Sequence, residues 1–165
     1  MSNLISICIP AYKNPTLLKR LLDSITMQTF KDFEIIITDD SPNNEIELLI
    51  EIYKSRFASL HYFKNSHSLG SPENWNESIR KASGKWIKIM HHDDFFLHKD
   101  ALTIFASSAK NVTIENFIFS GFQEISSDKL IKDYIISKKN KKLLKQSALN
   151  LFKFNFIGTS KHYFN

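Results

Sequence analysis

The 165-residue chain has little of several things, and each shortage excludes a class. A single cysteine, Cys8, forbids an internal disulfide and a multi-cysteine zinc site. Four glycines and four prolines rule out a collagen-like or Gly/Pro-rich disordered chain. No apolar run approaches the roughly 20 residues needed to cross a bilayer. The opening MSNLISICIP has neither a basic n-region nor a small-residue cleavage site, so no signal peptide is expected and the chain reads as a cytoplasmic domain. Neither G-x-G-x-x-G nor G-x-x-x-x-G-K-[ST] occurs, nor does a G-x-S-x-G elbow. Dehydrogenase, P-loop NTPase and serine-hydrolase readings therefore lose most of their support.

What is present is a core. Hydrophobic residues make up 42% of the chain, enough for one domain at this length. The net charge of +5 is uneven: Lys129 to Lys145 holds seven lysines and one acid, Asp133. Such a run could meet a membrane surface or an anionic substrate, although a solvated loop and helix start is the commoner meaning.

Apolar patterning over the first ninety residues alternates strand and helix. Leu4–Ile9, closed by Pro10, reads as a buried strand, and Asn14-Pro15 as N-cap and first helical residue. Leu17, Leu18, Leu21, Leu22 and Ile25 then share a helix face. Phe33–Thr38 is a second strand stopping at Asp39-Asp40-Ser41-Pro42, which is turn chemistry. A helix through Ile46, Leu49, Ile50 and Tyr53 leads to a short strand, Leu60–Phe63. Ser71-Pro72 opens a helix through Trp75, Ile79 and Ala82 that stops at Gly84, and Lys85–Met90 is a fourth strand ending in His91-His92-Asp93-Asp94. Farther on, the pattern predicts a helix over Ala101–Lys110, strands at Asn116–Ser120 and Leu130–Ile136, a helix over Leu143–Phe154 and a final strand at Asn155–Phe164.

Strands alternating with helices imply right-handed βαβ units and a mostly parallel sheet, with ligands beyond its carboxyl edge. That rim gathers Pro10–Asn14, Asp39–Ser41 and His91–Asp94. Adjacent carboxylates there suit Mg²⁺ or Mn²⁺, hard cations that bridge one or two carboxylates to substrate phosphates. Each feature alone is weak: acids also begin turns, His91 and His92 also end strands, and Tyr12 could stack on a base or cover a sheet edge.

In combination the segments say more. SICIPAYKN, QTFKDFEIIITDDSP and NSHSLGSPENWNESIRKASGKWIKIMHHDD follow one another from Ser6 to Asp94 with spacing that resembles the nucleotide-binding half of family-2 glycosyltransferases. The resemblance implies a GT-A fold: a three-layer α/β/α sandwich with a mostly parallel central sheet. It implies one domain over 1–165, with a nucleotide-sugar-binding half at 1–95 and a partial acceptor-side half at 96–165. Pro10, Ala11 and Tyr12 would line base and ribose, Asp40 would hydrogen-bond the base, and Asn65, Gly70 and Asn76 would shape the pocket. Asp93 and Asp94 would hold ribose and a Mn²⁺ or Mg²⁺ cofactor, and through it the diphosphate of a nucleotide-diphosphate sugar donor.

The implied reaction is sugar transfer, with inversion, to the hydroxyl of a glycan or lipid-linked acceptor in polysaccharide biosynthesis. Nucleic acid is not an expected partner; peripheral contact with the inner membrane face is. Two departures stand out: His91 replaces the first acid of the family's D-x-D-D, and Trp75 stands where many relatives have arginine. A general base is the third gap, for Asp100, Glu115, Glu124, Asp128 and Asp133 sit in no recognisable base motif and the chain reads as C-terminally truncated. The alternative is a catalytically incomplete nucleotide-binding remnant. A metal-dependent nucleotidyltransferase fits less well, lacking a glycine- and lysine-rich phosphate loop.

Overall fold

A computed structural model describes residues 4–110, 118, 120–126, 129–135 and 137–146. The chain divides into two compact units, 1–113 and 114–165.

The first unit is built on four parallel strands: β1 (Ile5–Ala11), β2 (Phe33–Asp39), β3 (Leu60–Lys64) and β4 (Trp86–Ile89), in the order β3-β2-β1-β4. β1 and β2 are buried along their whole length, which is why they read as unbroken β-branched runs rather than alternating ones. β1 does not stop at Pro10, as the apolar run suggests, but continues to Ala11. Pairing with β4 ends at Cys8, so the N–H that proline lacks is not needed on that side, while β2 pairs on as far as Ala11.

Helices α1 (Pro15–Thr26), α2 (Glu45–Tyr53) and α4 (Ala101–Lys110) contribute Leu18, Leu21, Leu22, Ile25, Ile46, Ile50, Leu102 and Ala106 to a core closed on Ile5, Ile7, Ile9, Ile35 and Ile37. α4 falls in the sequence-expected acceptor-side half, yet it packs in this first core. Its docking uses Gln28, whose side chain accepts from Leu102 N at 3.0 Å and donates to His98 O at 2.9 Å.

The remaining crossover helix, α3 (Glu73–Arg80), differs from its sequence pattern in two ways. It begins one residue later than expected, with Pro72 at the N-cap, and it buries Asn74 and Ser78 rather than Trp75 and Ile79. The backbone of this face takes up polar groups of the sheet: Ser78 O accepts from Cys8 Sγ at 3.4 Å and Asn74 O from Thr38 Oγ1 at 3.1 Å.

The second unit contains an antiparallel hairpin, β5 (Phe122–Ser126) and β6 (Lys129–Tyr134), followed by α5 (Lys138–Gln146). β5 was not anticipated from the pattern, and α5 begins five residues before the Leu143 start suggested by hydrophobic spacing. The strands expected at 116–120 and 155–164 lie mostly or wholly outside the described residues, as does the end of the 143–154 helix.

Candidate functional site

The strand order reverses direction between β1 and β4, which is the switch point where open α/β sheets take ligands. Each segment expected on the rim lies at a carboxyl end. Tyr12 follows β1, Asp40 and Ser41 follow β2, Asn65 follows β3, and His91–Asp94 follow β4.

The β1 and β2 ends are tied together. Asp40 N donates to Ala11 O at 3.0 Å and Lys13 N to Ser41 Oγ at 2.7 Å. Lys13 and Asn14 are held at φ 55° and 53°, a left-handed pair that costs a non-glycine residue about 1–2 kcal/mol. The cost is offset at Asn14, whose side chain accepts from Leu17 N and caps α1. This turn leaves Tyr12 46% exposed at the rim, with the Lys13 ammonium 4.8 Å from its ring centroid.

Asp40 is only 6% exposed, and its carboxylate organises the loop after β3. Oδ2 accepts from Gly70 N (2.8 Å), Leu69 N (3.1 Å) and Ser68 Oγ (3.3 Å), while Oδ1 accepts from Asn65 Nδ2 (2.6 Å). Gly70 adopts φ 71°, which glycine reaches without steric cost. Asp39 is also spent internally, accepting from Ser41 N, Tyr62 OH and the Lys64 ammonium. Burial, then the hydrogen bond to Asp39, pushes the Tyr62 hydroxyl far above the ordinary tyrosine range.

One residue that pattern reasoning passed over joins these parts. Asn74 Nδ2 donates to both Ala11 O (3.3 Å) and Thr38 O (3.2 Å), and its Oδ1 accepts from Asn65 (3.0 Å). The available signal was the Asn74/Ser78 pair at i,i+4, a polar stripe beside the apolar one. Asn76 stands apart from this network: it is exposed and bonds to Glu73 in its own helix.

The turn after β4 is closed on itself, Asp94 N donating to His91 O at 3.0 Å and His91 N to Asp94 Oδ2 at 3.3 Å. Its far side is pinned to α1 through Phe96 N and Ser24 Oγ at 3.0 Å. His91 also meets Trp75 edge-on, with centroids 4.7 Å apart. Desolvation first, then the charge of Asp93, raises the Asp94 carboxyl above its ordinary value, against the pull of His91 and Lys88. Lys88 itself is lowered by burial, its ammonium 5.2 Å from the Phe105 ring centroid.

No group of three or more metal-ligating side chains occurs among the described residues. Asp93 and Asp94, adjacent in a turn closed by its own hydrogen bonds, do fit a cation that keeps water and takes phosphate oxygens for its remaining positions. They do not fit a closed all-protein cage.

A parallel 3-2-1-4 sheet carrying this rim makes the protein an α/β domain of the GT-A glycosyltransferase class. The profile of glycosyl transferase family 2 matches residues 6–159, and the chain belongs to that family. Among curated relatives, an uncharacterized glycosyltransferase of Methanocaldococcus jannaschii is 37% identical over 98 residues, covering 58% of this chain and 34% of that protein. The GalNAc(5)-diNAcBac-PP-undecaprenol beta-1,3-glucosyltransferase of Campylobacter jejuni is 29% identical over 146 residues, covering 82% of this chain and 46% of that protein.

Two solved structures show the same fold. S. aureus TarS 1-349 in complex with UDP has a TM-score of 0.60 and 23% identity, over 75% of this chain and 40% of that one. The mannosyltransferase PcManGT of Pyrobaculum calidifontis, in complex with GDP-Man and Mn²⁺, gives 0.57 and 18%, over 67% and 32%. The chain thus spans less than half the length of the curated relatives named here.

Proposed function

We propose that the first unit binds a nucleotide-diphosphate sugar across the β1/β4 crevice and presents it for transfer, with inversion, to an acceptor hydroxyl. The observation that carries this reading is the joining of Ala11, Asp40, Asn65, Gly70 and Asn74 into one hydrogen-bonded network at the carboxyl edge of the sheet, the edge that the Asp93-Asp94 turn also follows. Family membership supports it, as do structural neighbours solved with UDP or with GDP-Man and Mn²⁺.

In this scheme Tyr12 offers its exposed ring to the base. Asp40 acts by holding the 65–70 loop in shape, because its oxygens already accept four hydrogen bonds. Asp93 and Asp94 would hold Mn²⁺ or Mg²⁺, which supplies charge neutralisation for the leaving diphosphate. The Ser24–Phe96 bond and the His91–Asp94 turn keep those carboxylates in place before ligand arrives, and a preorganised site spends less binding energy on ordering. The general base is assigned to no residue, and the acceptor is proposed as a glycan or lipid-linked hydroxyl, after the undecaprenol-linked substrate named for the Campylobacter relative.

A second reading is nucleotide binding without transfer, since Asp100, Glu115, Glu124, Asp128 and Asp133 sit in no recognisable base motif. Calorimetric titration with UDP and GDP, with and without Mn²⁺, tests the donor site in wild type and Asp94→Ala. Metal-dependent binding that the substitution abolishes supports the proposal, whereas no binding to a folded protein removes it. Binding with no transfer to any hydroxyl acceptor selects the second reading.

A further inference from the structure

Two positions that depart from the family pattern meet in the structure. Trp75 stands where many relatives have arginine, and His91 replaces the first acid of the D-x-D-D motif. Their rings lie edge-on, with centroids 4.7 Å apart and planes crossing at 68°. An arginine and an acid would answer each other by charge, whereas two rings answer by contact. Neither ring belongs to the core: α3 buries Asn74 and Ser78, and both Trp75 and His91 are half-buried.

The two sides of this contact are anchored in different ways. α3 is tied to the sheet by Asn74, which donates to Ala11 O and Thr38 O, and by the carbonyls of Asn74 and Ser78, which accept from Thr38 Oγ1 and Cys8 Sγ. At the end of β4, Met90 N donates to Cys8 O at 2.9 Å, and beyond the turn Phe96 N donates to Ser24 Oγ at 3.0 Å. Between them the two His91–Asp94 bonds fix the shape of the turn, but both are internal to it. The ring contact adds a brace from outside.

We infer that Trp75 is a positioning residue for the cation turn: through the His91 ring it braces the Asp93-Asp94 carboxylates against α3. His91 carries both the ring that meets Trp75 and the N–H that donates to Asp94 Oδ2, so where the ring is held the carboxylate is held. A site keeps its geometry when its ligands are supported by groups that are themselves fixed, and α3 is fixed by Asn74. The inference rests on the donor reading above and deepens it. It names the residue that keeps the cation side in register with the network around Asn74. Trp75 touches neither cation nor nucleotide in this scheme; it acts through His91.

Calorimetric titration of the full chain with UDP, with and without Mn²⁺, tests it in Trp75→Leu, Trp75→Phe, His91→Leu and His91→Phe. Substitution at 91 leaves both turn bonds available, because they use the backbone of that residue. The leucine variants should lose about two- to tenfold of the gain that Mn²⁺ gives UDP affinity, the range of an aromatic pair expressed as population of the braced turn. The phenylalanine variants keep a ring and should retain most of that gain. W75L/H91L should lose no more than the worse single variant, since one contact is removed only once. His91→Leu reads the same contact with α3 unaltered should Trp75→Leu fold poorly.

Losses that multiply in the double variant overturn the inference. Equal loss in His91→Leu and His91→Phe, with Trp75→Leu silent, makes His91 a ligand of the cation and equally overturns it. Absence of Mn²⁺-dependent UDP binding in the wild type removes the donor reading and this inference with it, whereas wild-type binding that every variant keeps removes the inference alone.

Discussion

Asn74 shows how much of the site rests on a single amide. Its NH₂ bridges the carbonyls that end β1 and β2, and its oxygen receives Asn65, so one side chain sets the spacing of three rim segments. Asn74→Ala removes this partner from Ala11 O, Thr38 O and the Asn65 amide, of which Ala11 O keeps Asp40 N and the Asn65 amide keeps the Asp40 carboxylate. Losing a buried hydrogen-bonding group costs about 1–3 kcal/mol, so urea denaturation should show a loss of that order with little change in m-value. Nucleotide affinity should fall as well, because Asn65 and Asp40 share the network. By contrast Cys8 is chemically quiet: burial pushes its thiol up to about 12, which keeps thiolate scarce at neutral pH.

At the scale of elements, the amino edge of the sheet is pinned as firmly as its carboxyl edge. Glu34, at the start of β2, accepts from Ser6 Oγ on β1 and from Ser83 N, Ser83 Oγ and Gly84 N just before β4, so one carboxylate binds three strands. Burial opposes its charged form, but the donors from Ser6, Ser83 and Gly84 prevail and hold it below the ordinary glutamate range. A depressed folded pKa stabilises above the unfolded value, and that contribution disappears as pH falls through the folded one. Glu34→Gln should therefore cost about 1–3 kcal/mol at neutral pH. The gap between wild type and variant should close on acidification below the normal glutamate range, as followed by denaturant midpoints across pH.

The strands and helices of the first unit were legible because their signals are local. Two buried β-branched runs, an Asn-Pro helix start and an amphipathic leucine face need no knowledge of neighbours. The positions of Asp40 and of Asp93-Asp94 followed from the same alternation, since strand ends must share a rim. What escaped depended on partners. The buried face of α3 is polar because the sheet opposite offers Cys8 Sγ and Thr38 Oγ1, groups that its own spacing does not reveal. Gln28 belongs to the motif that carries the family resemblance, yet it works by docking α4, and only the structure tells such a clamp from a ligand contact. β5, with mostly exposed residues, carries little hydrophobic periodicity to read.

The first unit carries the carboxyl-edge rim, and the second is lysine-rich. Binding to the native state alone shifts unfolding by mass action. If the donor reading holds, UDP with Mn²⁺ at a hundredfold excess over its dissociation constant should add about 2.7 kcal/mol of stability. Thermal unfolding should show this in wild type and lose it in Asp94→Ala.

The β3-β2-β1-β4 order also has a consequence for how the site comes into being. The Ser6–Glu34 contact between β1 and β2 closes 28 residues of chain, whereas the Ser6–Gly84 contact at the β4 seam closes 78. Closure entropy grows with the logarithm of that length, and long-range parallel pairing is slow to form. The crevice that would receive the nucleotide lies across the longer seam. During refolding, nucleotide-binding competence should therefore emerge after the β1–β2 core is in place, and amide protons along β4 should exchange before those of β1 and β2. A chain still emerging from the ribosome could bury most of its apolar core before the β1–β4 crevice existed.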